Sequence, residues 1–133
     1  MTTATTANVS QVANVIIPVD DQDRMLGFYT ETLGLEKRAD VPFGDEADGR
    51  WIEVAPSGSE TPIALCPPGP KNEAGGKDTG ITLQTEDIDA YHARLSERGV
   101  DVDPEVSRMG EPVPPLFWFR DPEGNQLMVV EVR

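Results

Sequence analysis

The side chains with the most chemistry to offer in this chain of 133 residues are two tryptophans, one glutamate, one arginine and a handful of amides and hydroxyls. Trp51 and Trp118 each carry a flat indole on which a ring or a cation can stack, and each can equally serve as packing. Glu53 has two readings. It is a weak candidate for a general base, or it is the ion-pair partner of Arg120. Nothing in the sequence supplies a nucleophile or an oxyanion hole. Cys66 is the only cysteine. It therefore makes no internal disulfide and no thiolate metal cluster, and without a basic neighbour to activate it, it reads as a small buried hydrophobe. The only histidine, His92, reads as a helix residue at the edge of the core.

These residues need strands and helices to hold them. The run "VANVIIPV" predicts a strand, and Asp21 follows as an N-cap. Met25, Phe28, Tyr29, Thr32 and Leu33 then recur at helical spacing, and Gly34 stops the helix. Three strand candidates follow in "LEKRAD", "GRWIEVAP" and "TPIALCP". The second half repeats the order. A strand in "TGITLQTE" leads to the cap Asp87, a helical face of Ile88, Tyr91, His92 and Leu95, and a stop at Gly99. Strand candidates "VDVDPEVS", "PPLFWFRD" and "NQLMVVEV" complete it. Asp21 and Asp87, Gly34 and Gly99, and Trp51 and Trp118 keep a near-constant offset, the mark of a duplicated βαβββ unit.

The predicted fold is α+β: two βαβββ modules whose paired, curved, mixed sheets surround a shared cleft. The expected boundaries are a flexible N-terminal tail at 1–11, modules at 12–66 and 79–133, and a Pro- and Gly-rich linker at 67–78, together one domain. A sheet with one helix leaves its other face bare, and that concave space is the default ligand site. Strand alternation points Asn14, Ile16, Trp51, Glu53, Thr82, Gln84, Leu116, Trp118, Arg120, Gln126 and Met128 into it. It also points Gly80, Ala64 and Cys66 inward. The long connections 39–49 and 107–116 are expected lids, with Phe43 and Met109 as apolar residues able to cover a ligand.

The net charge of −13 argues against a nucleic-acid partner, and no basic amphipathic helix suits a membrane surface. Such charge serves solubility, and where Asp45, Glu46 and Asp48 rim a pocket it favours a cationic ligand. No apolar run approaches membrane-spanning length and the polar N-terminus is no secretory signal, so a reducing cytoplasm is the expected setting.

The stretches "DDQDRMLGFYTETLGL", "RWIEVAPSGSETPIAL" and "FWFRDPEGNQLMVVE" resemble the vicinal oxygen chelate superfamily, which includes glyoxalase I, the extradiol dioxygenases and the bleomycin and fosfomycin resistance proteins. The likeness covers roughly residues 12 to 132. It implies a glyoxalase-like fold and a homodimer, and one scaffold of this kind hosts many chemistries. It also implies metal ligands at places that here hold Asn14, Ala64, Gly80 and Met128. Two of these have no donor, one is a soft thioether, and one is a neutral amide. No metal and no other cofactor is therefore expected. The leading expectation is metal-independent binding of a small aromatic or cationic molecule, an antibiotic or an aromatic metabolite. The alternatives are a lyase or dioxygenase with displaced metal ligands, and a non-catalytic ligand sensor.

Overall fold

A computed structural model describes residues 7–43 and 49–132. The expected acidic run Asp45, Glu46 and Asp48 and the first six residues of the expected tail lie outside them. Residues 7–14 carry no regular structure, and the Val12 carbonyl accepts a bond from Thr61 Oγ1 at 3.0 Å.

The first module runs β1 (Val15–Pro18), α1 (Gln22–Gly27) continuing into a π-helical turn (Phe28–Thr32), β2 (Glu36–Pro42), β3 (Arg50–Ala55) and β4 (Ile63–Cys66). The second runs β5 (Asp78–Thr85), α2 (Ile88–Glu97), β6 (Asp101–Val102), β7 (Leu116–Arg120) and β8 (Gln126–Glu131). Each forms a four-stranded mixed sheet, in the orders β1-β4-β3-β2 and β5-β8-β7-β6. The α+β architecture and the repeated strand order match the sequence expectation.

The helices begin where the aspartates stand. Asp21 accepts the Arg24 amide at 3.0 Å and Asp87 the Ala90 amide at 3.1 Å, each worth about 1 kcal/mol to its helix. Both helical segments are followed by glycines at positive φ, Gly34 at 89° and Gly99 at 78°, a backbone that other residues rarely adopt. Met25 and Tyr29 are the buried residues of the first helical segment, and Leu33, just after it, continues the same buried row at a spacing of four.

Three differences from the sequence reading have local causes. First, β2 extends through Pro42 because 39–42 pair with β3 and Arg50 binds Asp40 at 2.9 Å, so the first expected lid loses its leading residues. Second, β6 keeps only two residues; after it, Ser107 pairs with Leu116 as an isolated bridge. Third, the sheets meet through their helix-covered sides. Ile17, Ile52, Val54 and Leu65 of one sheet join Phe117, Phe119, Leu127 and Val129 of the other in a single core, with Phe28 and Phe119 rings 6.5 Å apart. A short helix does not cover a four-stranded sheet, and the uncovered apolar remainder of one module is sealed by the other.

Candidate functional site

The opposite face of each sheet is built by strict alternation. In the first sheet, Ile16, Ala64, Glu53 and Ala39 lie side by side across β1, β4, β3 and β2. Trp51 shares that face, and its indole N–H donates to Glu53 Oε2 at 2.9 Å. Phe43 meets Trp51 edge-on with ring centroids 6.1 Å apart. Ile16 is 46% exposed, while Ala64 and Cys66 are buried. Burial first, and then the Glu53 carboxylate, push the Cys66 thiol above its ordinary value, which suits an inert thiol. Asn14, half-buried, precedes β1 in the same alternating phase as Ile16.

In the second sheet Thr82, Met128 and Trp118 form one row, Gln84, Val130 and Leu116 the next, and Gln126 and Arg120 a third. Trp118, Met128, Leu116, Gln126 and Arg120 are half-buried, and Thr82 and Gln84 are exposed. Arg120 donates to Asp103 at 3.0 Å, to Gln126 at 3.2 Å and to Asp101 at 3.1 Å. The hydrogen bond to Asp101, ahead of that to Asp103, raises the arginine's pKa, and the same contact lowers that of Asp101. The possible Glu53–Arg120 pair is therefore not formed: Arg120 is held by aspartates of its own module and Glu53 by the neighbouring indole. β6 and the residue after it bring those aspartates beside Arg120, a contact across two strands that sequence spacing does not reveal.

The candidate residues thus fall into two sets, one on the bare face of each sheet. A cavity of about 720 Å³ lies at the edges of β1 and β5, lined by Val15, Ile63, Ile81, Leu83 and the 56–62 turn. Thr82 and Gln84 reach it; Trp51 and Trp118 are not among its lining residues. The hydroxyls of Ser57, Ser59 and Thr61 in that turn were not singled out by sequence reasoning, since only the packing of the modules brings them to β5. Met109, 66% exposed, stands on the 107–116 loop, which Arg108 ties to α2 through Asp89 at 2.8 Å. His92 packs on Phe117 with ring centroids 4.9 Å apart and places Nε2 2.7 Å from the Asp103 carbonyl, a structural position at the core edge.

The places where the superfamily resemblance puts metal ligands do not suit a divalent ion. Ala64 is a buried methyl and Met128 a half-buried thioether. Gly80 has a φ of 72° and sits where β5 slips in register between Asp78 and Thr82. A Cβ there would meet nothing within 4 Å, so its backbone angle, rather than space, favours glycine. Among the described residues no group of three or more His, Cys, Asp or Glu side chains is placed to hold a metal ion.

The model of the Glyoxalase/Bleomycin resistance protein/Dioxygenase superfamily matches residues 10–129. The chain belongs to this superfamily. Its similar solved structures include TnmS3, an antibiotic binding protein from Streptomyces sp. CB03234, at 37% identity and a TM-score of 0.80, covering 94% of this chain and 98% of that one. A superfamily member from Sphaerobacter thermophilus is 36% identical with a TM-score of 0.84, covering 93% and 98% respectively. The uncharacterized protein YetH of Bacillus subtilis is 30% identical over 128 residues, 92% of this chain and 99% of YetH. Among the described residues, no helix of this superfamily member is long and apolar enough to cross a membrane.

Proposed function

We propose that the chain is a metal-independent binder of a small aromatic molecule, working as a homodimer in the cytoplasm. The observation that carries this reading is the pair of half-buried tryptophans on otherwise bare sheet faces where, among the described residues, no group of three or more His, Cys, Asp or Glu side chains is placed to hold a metal ion. Indole faces, amides and hydroxyls suffice to stack and orient a planar ligand without turnover. Similarity to the antibiotic binding protein TnmS3 supports the same reading. Each bare face in one chain is completed by the other module of a second copy, which buries Ile16 and Thr82 and closes a cleft between Trp51 of one protomer and Trp118 of its partner. A single buried thiol suits a reducing compartment.

The test is quenching of tryptophan fluorescence by a panel of aromatic and cationic antibiotics, with sedimentation run in parallel. Saturable quenching at micromolar ligand by a dimeric protein is the expected result. A monomer that quenches with none of the panel contradicts the reading.

A further inference from the structure

The seam between the modules holds a second cavity, of about 370 Å³, which neither tryptophan lines. Arg24 of α1, Arg98 at the end of α2 and Arg120 of β7 all line it, in a chain with 11 basic residues against 24 acidic ones. Its two carboxylates are already engaged. Asp101 is bound to Arg120 at 3.1 Å. Asp121 accepts from the Tyr29 hydroxyl, from the amides of Glu123 and Asn125, and from the Asn125 side chain, at 2.8 to 3.0 Å.

Arg24 and Arg98 have no carboxylate partner among the described residues. Arg98 Nη1 is held by the carbonyls of Thr32 at 2.7 Å and Glu31 at 3.3 Å, which fixes the guanidinium at the end of the first helix and leaves its other N–H groups unspent. The Arg24 guanidinium makes no hydrogen bond or ion pair among the described residues. Phe28, Val100 and Pro122 supply an apolar wall. Two guanidinium forks beside an apolar wall match an organic anion with several acceptor oxygens.

We propose that this seam cavity is a binding site for a small organic phosphate, held by Arg24 and Arg98 with Arg120 behind them. A phosphate monoester offers three terminal oxygens and close to two negative charges at neutral pH, enough for two forks, where a carboxylate offers two oxygens and one charge. The volume admits a ring or sugar beside the phosphate. The net charge of −13 repels anions from the surface at large, so specific anion binding reports a local site.

The experiment is isothermal titration of the intact protein with phenyl phosphate, and with inorganic phosphate and benzoate as comparators. The expected result is saturable binding of phenyl phosphate, weakened by added salt, tighter than either comparator, and weakened roughly tenfold or more in Arg24→Ala. Arg98→Ala should weaken it similarly; because that change also removes a helix-end contact, the exposed Arg24 carries the decision. Trp51→Ala should leave phenyl phosphate binding unchanged, which keeps this site separable from the aromatic one. Absence of saturable binding, full affinity in Arg24→Ala, or equal affinity for benzoate would each overturn the assignment.

Discussion

The Tyr29 hydroxyl donates to Asp121 Oδ2 at 2.8 Å, joining the first helix of one module to the β7–β8 turn of the other. Both residues are buried, and Asn125 beside them is fully so. Nearby, the Glu123 carboxylate accepts the amides of Asp20 and Asp21 at 2.8 and 2.9 Å, just ahead of α1. The "DPEGN" turn is thus a latch between the modules as well as a turn, and it fixes the relative placement of the two bare faces.

Tyr29→Phe should therefore destabilise the chain by about 1–3 kcal/mol, because Asp121 loses a donor at a site closed to water. Urea denaturation of the two proteins measures this. A change within a few tenths of a kcal/mol would mean that the latch does not hold the modules.

The same phenol gives a pH signature. Burial, and after it the Asp121 charge and hydrogen bond, push the Tyr29 pKa well above its ordinary value. The folded chain then keeps a proton that the unfolded chain releases. Its stability is full below the unfolded tyrosine pKa of about 10 and falls as pH rises beyond it. Burial also raises Tyr91, outweighing the opposing Arg94 and Arg98 charges, so Tyr29→Phe should reduce the alkaline slope without abolishing it. Denaturation midpoints between pH 8 and pH 11 would show the difference; identical slopes would contradict it.

The anchor of Glu123 is testable on its own. Glu123→Gln keeps an oxygen acceptor but removes the charge that faces two amides, and should cost about 1 kcal/mol by thermal or urea unfolding. Glu123→Ala should cost more. No loss in either variant would detach this carboxylate from the entry to α1.

Trp51→Ala and Trp118→Ala should each weaken a stacked ligand by about 1–3 kcal/mol. Trp51 also holds Glu53 and Phe43, so its removal should disturb both. Titrations of the single variants with a ligand that quenches the native protein decide the matter, and undiminished affinity in both would remove the indoles from the site.

Much of the fold was legible because its signals are local. Asp21 and Asp87 cap, Gly34 and Gly99 terminate, and the alternation in "LFWFRD" and "NQLMVV" sorts Phe117, Phe119, Leu127 and Val129 to the core, where they are found. The face on which Trp51 and Glu53 sit together was readable for the same reason. Long-range partners were not. Arg120 chose Asp101 and Asp103 because β6 lies beside β7, and the Tyr29–Asp121 bond joins residues far apart in the chain. The merging of the two helix-covered faces depends on how little sheet a short helix conceals, which no periodicity encodes. The π-helical turn at Phe28–Thr32 likewise left no mark beyond ordinary helical spacing.

The central claim is that aromatic walls, and no metal ion, hold the ligand. The direct measurement is the affinity of one quenching ligand before and after exhaustive chelation, with elemental analysis of both samples for nickel, zinc, manganese and iron. The account predicts the same dissociation constant in both and no stoichiometric ion in either. An affinity that disappears on chelation and returns with one equivalent of a divalent ion would contradict it.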